Sequence, residues 1–204
     1  CNGLLMTKTK NPFDYQGLIV QQKVGINHVN DPNGGGVKPF SETGIRYAKA
    51  FNNRFAFKVN ASYIKGTDWY ATDYTDIDPN TPTEKRGATN PGKNSLNIYG
   101  DEVASTLPGI GRVSRTGYYE KDVTTYDVYS FKANAAVHYR ISDKVEAIYQ
   151  INFNQGTANY TSSSRNMLRD FRFMQQRVEL KGANFFVRAY AVAENSQNAY
   201  NTRS

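Results

Sequence analysis

Residues 66–78, GTDWYATDYTDID, hold the densest set of side chains able to do chemistry. Trp69, Tyr70 and Tyr74 offer flat faces, and Asp73, Asp76 and Asp78 offer acceptors for hydroxyl groups. Aromatic faces with a few convergent polar groups are what a pocket for a sugar ring or a peptide needs. The candidate ligand-binding residues are therefore Trp69, Tyr70, Asp73, Tyr74 and Asp76. A second reading stands beside this one. Aromatics placed where a strand leaves a membrane form an interfacial girdle, and the acids after them are then a solvated loop. Their position at a strand end favours the girdle for Trp69 and Tyr70.

Other chemistries find little footing. No nucleophile and base are spaced for catalysis, and neither GxSxG nor HExxH occurs, so no catalytic residue is expected and the chain reads as a non-enzyme. Asp76, Asp78 and Asn80 have the one-three-five spacing of a calcium loop. The sixth position is Thr81 instead of Gly, and the twelfth is Gly87 instead of Glu, so no metal site is expected. Gly109-Ile110-Gly111 lacks the third glycine of a dinucleotide loop. A single Cys precludes a disulfide within the chain and a multi-Cys zinc site. His28 and His138 lie on different predicted strands and read as lumen or interface residues. No cofactor is implied. The net charge is +7, from 25 basic and 18 acidic residues. The basic residues alternate with acids along the chain, without a basic stripe or an RNA-binding aromatic signature, so nucleic acid is not an expected partner.

The elements that must carry these side chains are strands. Residues 126–153, YDVYSFKANAAVHYRISDKVEAIYQINF, read as a long hairpin turning at Ser142-Asp143-Lys144. Tyr129, Phe131, Ala133, Ala135, Val137, Tyr139 and Ile141 alternate with Ser130, Lys132, Asn134, Ala136, His138 and Arg140. This period of two gives one apolar and one wet face. Aromatics sit near both ends of the apolar stripe, with small aliphatics between them. A soluble sandwich puts bulk at its centre, whereas a transmembrane barrel puts it at the two interfaces.

Further strands are predicted at 17–29, 42–51, 55–63, 171–181 and 185–191, which makes seven in all. Residues 2–10 read as a short strand-like segment. The connections alternate: medium, short, very long (66–125), short, medium, short. An up-and-down barrel with tight turns on one side and long outer loops on the other sorts its connections this way. Asn52-Asn53 is a turn of the kind that tolerates positive φ. Lys49 shares the apolar side of its strand and is expected to snorkel near that turn. An odd, unclosed set leaves two strand edges that cannot persist in lipid, so the chain reads as a piece of a longer one.

NGLLMTKTKNPFDYQGL, VGINHVNDPNGGGVKPFSETGIRYAKAFNNRFAFKVNASYIKGTDW and LRDFRFMQQRVELKGANFFVRAYAVAENSQNAYNTRS together resemble the SusC/RagA-like TonB-dependent outer-membrane transporters of Bacteroidetes. The resemblance spans nearly the whole chain and is weakest over 74–122. It implies an all-β fold, an antiparallel up-and-down transmembrane β-barrel segment with about seven of the 22 strands of a plugged barrel. Residues 1–10 would be the C-terminal end of the plug, and 11–16 the plug-to-barrel linker. Residues 17–204 would be the N-terminal part of the barrel, with 66–125 as a long extracellular loop. The implied activity is import of large nutrients, glycan oligosaccharides or peptides. The implied partners are a SusD-like surface lipoprotein, the TonB-ExbB-ExbD system acting through other parts, and outer-membrane lipid. The implied location is the bacterial outer membrane.

Lys58, Lys132, Arg140, Arg177 and Arg188 fall on wet faces, where structural pairing is the commoner role. The rival to the transporter is a small autonomous outer-membrane barrel, an adhesin or structural protein that makes contact through 66–125.

Overall fold

The computed structural model describes residues 9–27, 36–81, 83–161 and 165–201. Residues 1–8, with most of the expected plug segment and Cys1, lie outside the described residues, as does His28. The elements in chain order are β1 (Gly17–Asn27), β2 (Lys38–Phe51), β3 (Phe55–Thr67), β4 (Ile98–Tyr99), β5 (Ala104–Leu107), β6 (Gly111–Ser114), β7 (Tyr118–Tyr119), α1 (Glu120–Val123), β8 (Asp127–Ser142), β9 (Val145–Thr161), β10 (Arg165–Gly182), β11 (Phe186–Asn195) and β12 (Tyr200–Asn201). The fold is all-β. One antiparallel meander runs β1-β2-β3-β8-β9-β10-β11, and short β12 pairs with β10. The sheet is open, with β1 and β11 as its edges, and does not close into a barrel.

The period-two pattern sets the register. Leu18, Tyr47, Val59, Ala135 and Ile151 lie side by side across β1, β2, β3, β8 and β9. Two residues along, Phe57, Val137, Tyr149, Val178 and Ala189 form a second row, from β3 to β11. This apolar face is not buried. Leu18 is 61 % exposed, Val59 45 % and Val178 56 %. A monomer in water rarely leaves a contiguous apolar patch larger than a few hundred Å². Lys49 shares the face and sits with its ammonium 5.0 Å from the Phe51 ring.

The opposite face is bound by a ladder of amides. Asn60 Nδ2 donates to Asn134 Oδ1 at 2.9 Å, Asn134 Nδ2 to Asn152 Oδ1 at 2.5 Å, and Asn152 Nδ2 to Gln175 Oε1 at 3.1 Å. The ladder crosses β3, β8, β9 and β10. Gln150 Nε2 also donates to Asn152 Oδ1 at 3.0 Å, and Arg177 Nη2 to Gln150 Oε1 at 2.6 Å. Arg188 pairs with Glu179 at 2.8 Å.

The turn at Asn52 and Asn53 has φ of 49° and 51°, the left-handed values that Asn tolerates. The tight turns at 52–54, 143–144 and 183–185 gather at one end of the sheet. Two expectations need correction. The connection between β9 and β10 is not a medium loop, because β9 runs to Thr161 and β10 begins at Arg165. A bulge between Leu168 and Phe171, with Asp170 at φ 55°, lets the longer strands keep their pairing. Residues 66–125 are also not structureless: β3 reaches Thr67, and β4–β7 and α1 build a small ordered unit. Among the described residues no helix is long and apolar enough to cross a membrane, which says nothing about strands.

Candidate functional site

The unit between β3 and β8 stands on the ends of the strands. Its neck closes where Asp68 N–H donates to the Tyr126 carbonyl at 2.7 Å. Asn159, on the projecting end of β9, braces it. Its N–H donates to Asp68 Oδ2 at 3.0 Å, its Nδ2 to the Thr125 carbonyl at 3.0 Å, and its Oδ1 accepts from the Thr124 hydroxyl at 3.0 Å.

Two buried carboxylates organise the interior. Glu120 is 1 % exposed and accepts from the hydroxyls of Tyr99 at 2.6 Å and Tyr126 at 3.0 Å, and from Ala71 N–H at 3.4 Å. Asp101 is fully buried, with Oδ2 accepting from Ser95 N–H at 2.8 Å. Burial pushes its carboxyl above the usual range, against the Ser95 hydrogen bonds and the Arg86 charge. Arg86 lies 3.7 Å from Asp101 and is the hub of the unit. It donates to the Pro91 and Ser114 carbonyls at 3.2 and 3.1 Å, to the Ser114 hydroxyl at 2.7 Å and to the Lys93 carbonyl at 2.8 Å. The Lys93 ammonium donates to the Glu84 carbonyl. At Gly117, φ is +69° and an added Cβ would stand 2.5 Å from Ile98 Cγ2, so only glycine fits.

The five sequence candidates are distributed through this unit. Trp69 is 62 % exposed at the neck. Tyr70 is set edge-on to Tyr126, with ring centroids 4.2 Å apart. Tyr74 is set edge-on to Tyr119 at 5.1 Å. Burial, then the adjacent Tyr119 phenol and the negative charges of Glu120, Asp122 and Glu84, pushes the Tyr74 phenol up. Asp73 is exposed and accepts from the Thr75 hydroxyl and N–H at 2.6 and 3.0 Å, which holds its carboxyl below the usual value. Asp76 is buried. Its Oδ1 accepts from Asp78 N–H at 3.0 Å and its Oδ2 from Asn90 Nδ2 at 3.1 Å. Burial alone would raise its carboxyl, but these bonds, one from Asn94 and the Lys93 charge together lower it.

The acids that the spacing picked out therefore serve turns. Asp76 caps Asp78, and Asp78 Oδ1 accepts from Asn80 N–H at 2.9 Å. Such turns use the same one-three-five spacing as a calcium loop. Among the described residues no three His, Cys, Asp or Glu side chains are grouped to hold a metal. Tyr70 and Tyr74 are part-buried against Tyr126 and Tyr119, whereas Trp69, Asp73, Tyr118 and the outer side of Tyr119 are exposed. Tyr119, which the fold brings to Tyr74 from 45 positions away, carries no local signal that could have found it.

A second polar surface lies on the polar face of the sheet at the tight-turn end, where residues 9–16 dock. Asn11 starts a turn: its Oδ1 accepts from Phe13 N–H at 2.9 Å and its carbonyl from Tyr15 N–H at 3.0 Å. Lys58 Nζ donates to the Thr9 hydroxyl at 2.8 Å and to the Lys10 carbonyl at 2.9 Å. Arg46 Nη2 donates to the Tyr15 carbonyl at 2.7 Å, and Ala50 N–H to Gln16 Oε1 at 3.0 Å. The Arg140 guanidinium lies 3.9 Å over the Phe13 ring, whose edge meets His138 at 6.5 Å. Ala48, Ala56 and Ala136 are 1 %, 0 % and 2 % exposed on this otherwise wet face, which marks a covered trough.

No family model, curated protein or solved structure matches this chain.

Proposed function

We propose that the chain is a stretch of the wall of a SusC/RagA-like TonB-dependent outer-membrane transporter, seven strands of a larger plugged barrel. Its outer face meets lipid and its inner face lines the solute path. The observation that carries this reading is the division of the sheet. One face presents large apolar side chains to the surroundings, and the other is a continuous hydrogen-bonded polar wall. A closed barrel needs this division, because lipid offers no partner for polar groups and a lumen does. The gathering of tight turns at one end, and of the ordered unit at 68–126 at the other, supports the same orientation. The cargo is a large nutrient, a glycan oligosaccharide or a peptide, met at the outer end by Trp69 and Asp73. A SusD-like surface lipoprotein and the TonB-ExbB-ExbD system are the proposed partners. No catalytic step is assigned to the chain.

The experiment is fractionation of the native cell, with an antibody against 74–122. The reading expects the antigen in the outer membrane, co-purifying with a surface lipoprotein. An antigen confined to soluble fractions would remove the proposal.

A further inference from the structure

The polar face changes character toward the end where the unit at 68–126 stands. Rows of register partners climb it along β3, β8, β9 and β10. The lowest of these is Asn60, Asn134, Asn152 and Gln175, and the next is Ser62, Lys132, Asn154 and Phe173. Above them come Ile64, Ser130, Gly156 and Phe171, and at the top Gly66 pairs with Val128 and Ala158 with Leu168. Gly156 leaves its row without a side chain. A hollow of about 300 Å³ opens there between Ile64, Val128, Ala158, Leu168 and Phe171. No other residue fits at 156, because an added Cβ would stand 2.7 Å from the Tyr129 carbonyl oxygen. Among the described residues no charged side chain lines the hollow. Tyr129, Gln155 and Thr157 also border it, but their polar groups are bonded together through Asp170. The Tyr129 hydroxyl donates to Asp170 Oδ1 at 2.5 Å and accepts from Gln155 Nε2 at 3.2 Å, and Asp170 N–H donates to the Thr157 hydroxyl at 3.0 Å.

Apolar walls around an open hollow favour an apolar occupant over water. A closed apolar cavity of about 150 Å³ holds benzene, so this hollow has room for one aromatic or branched aliphatic side chain. A sugar ring carries hydroxyls around its rim, and burying one here without a partner is unfavourable. We infer that the hollow binds one bulky apolar side chain of a peptide. The rows beneath it suit the peptide's backbone. The amide ladder uses Asn60 Nδ2 as a donor and Gln175 Oε1 as an acceptor, so Asn60 Oδ1 and Gln175 Nε2 stay out of it. Both residues, with Ser62, Lys132 and Asn154, line a second hollow of about 310 Å³. Neighbouring rows are about 7 Å apart along the strands, close to the reach of an aromatic side chain from its own backbone. The inference deepens the transporter reading. The choice of a peptide as the cargo that this wall selects rests on that reading, and the binding itself does not. Trp69 at the neck can face either class of cargo, whereas the hollow discriminates between them.

The test is calorimetry of the full-length native protein with two pentapeptides, Ala-Ala-Phe-Ala-Ala and Ala-Ala-Ser-Ala-Ala. The phenylalanine peptide is expected to bind about ten-fold more tightly, the gain from burying most of one aromatic side chain. Ala158→Phe fills the hollow from its exposed rim, and the preference then disappears. A third peptide, with photoreactive benzoylphenylalanine at the central position, labels residues that line the hollow in the wild-type protein, read by mass spectrometry. That arm does not depend on how the variant folds. Equal affinity for the first two peptides, no binding of either, a preference that survives Ala158→Phe, or label found only elsewhere would overturn the inference. An antigen confined to soluble fractions would remove the transporter reading and leave these affinities as they stand.

Discussion

Asn134 reaches from the middle of β8 to Asn152 in the middle of β9, Nδ2 to Oδ1 at 2.5 Å, and it accepts from Asn60 of β3 on its other side. The polar face is therefore joined across strands by side chains as well as by the backbone. Asn134→Leu leaves the Asn60 donor and the Asn152 acceptor without it. The expected cost is about 1–3 kcal/mol. Ala135→Leu, one residue along on the outer face, is expected to be near neutral. Denaturant unfolding of the two variants side by side measures the difference.

Arg86 ties the unit at 68–126 together, since five of its contacts reach three different segments. Arg86→Met leaves Asp101 buried with its charge unanswered, at a cost of about 3–5 kcal/mol by the precedent of broken buried pairs. Adding Asp101→Asn to that variant is expected to recover part of the loss. Limited proteolysis between 77 and 115 reads the opening of the unit.

Acid acts on this unit in two senses. Asp73 and Asp76 have folded values below the ordinary 3.8, so the stability they confer is present above that value. It is lost as pH falls through their folded values. Asp101 is raised above 3.8, so its contribution has the opposite sign and weakens stability as pH rises from 3.8 through its folded value. Asp76→Asn is expected to flatten the acid limb of the unfolding curve below about pH 4, and Asp101→Asn to remove the decline in stability as pH rises past 3.8. Asp73 is solvent-exposed and contributes little. Hydrogen exchange of 68–126 against pH separates the three.

Trp69 is exposed and Tyr74 is packed on Tyr119, so their truncations should differ in kind. Trp69→Ala is expected to leave stability unchanged and to weaken oligosaccharide binding in the full-length protein roughly two- to twelve-fold, the loss of one stacking face being about 0.5–1.5 kcal/mol. Tyr74→Ala is expected to loosen the unit as well. Calorimetry with an oligosaccharide panel checks the first, and thermal unfolding the second. Unchanged affinity in Trp69→Ala would return that residue to the girdle reading.

The strands were legible because their signal is local. The alternation from Tyr129 to Ile141 needs nothing beyond its own residues, and it places Asn134, His138 and Arg140 on the face where the register puts them. The end of the β9–β10 hairpin was not legible, because the polar run at 160–166 resembles a turn, while strand pairing carries β9 to Thr161 and starts β10 at Arg165. The order within 68–126 was also hidden. It rests on Arg86 meeting Ser114 and Ala71 meeting Glu120, contacts between positions that no short-range pattern links. Ala136 falls on the wet face of β8 yet is buried. Its burial follows from the segment at 9–16 that grips Lys58, its partner in register.

In the proposed barrel one face of the sheet meets lipid and the other meets water. Spin labels placed singly at residues 57–60 and 134–137 of the native protein in bilayers test it by their collisions with oxygen and with a water-soluble nickel complex. The account predicts alternation with period two. Phe57, Val59, Ala135 and Val137 should favour oxygen, and Asn60, Asn134 and Ala136 should not. Equal accessibility of both faces to the nickel complex would contradict it.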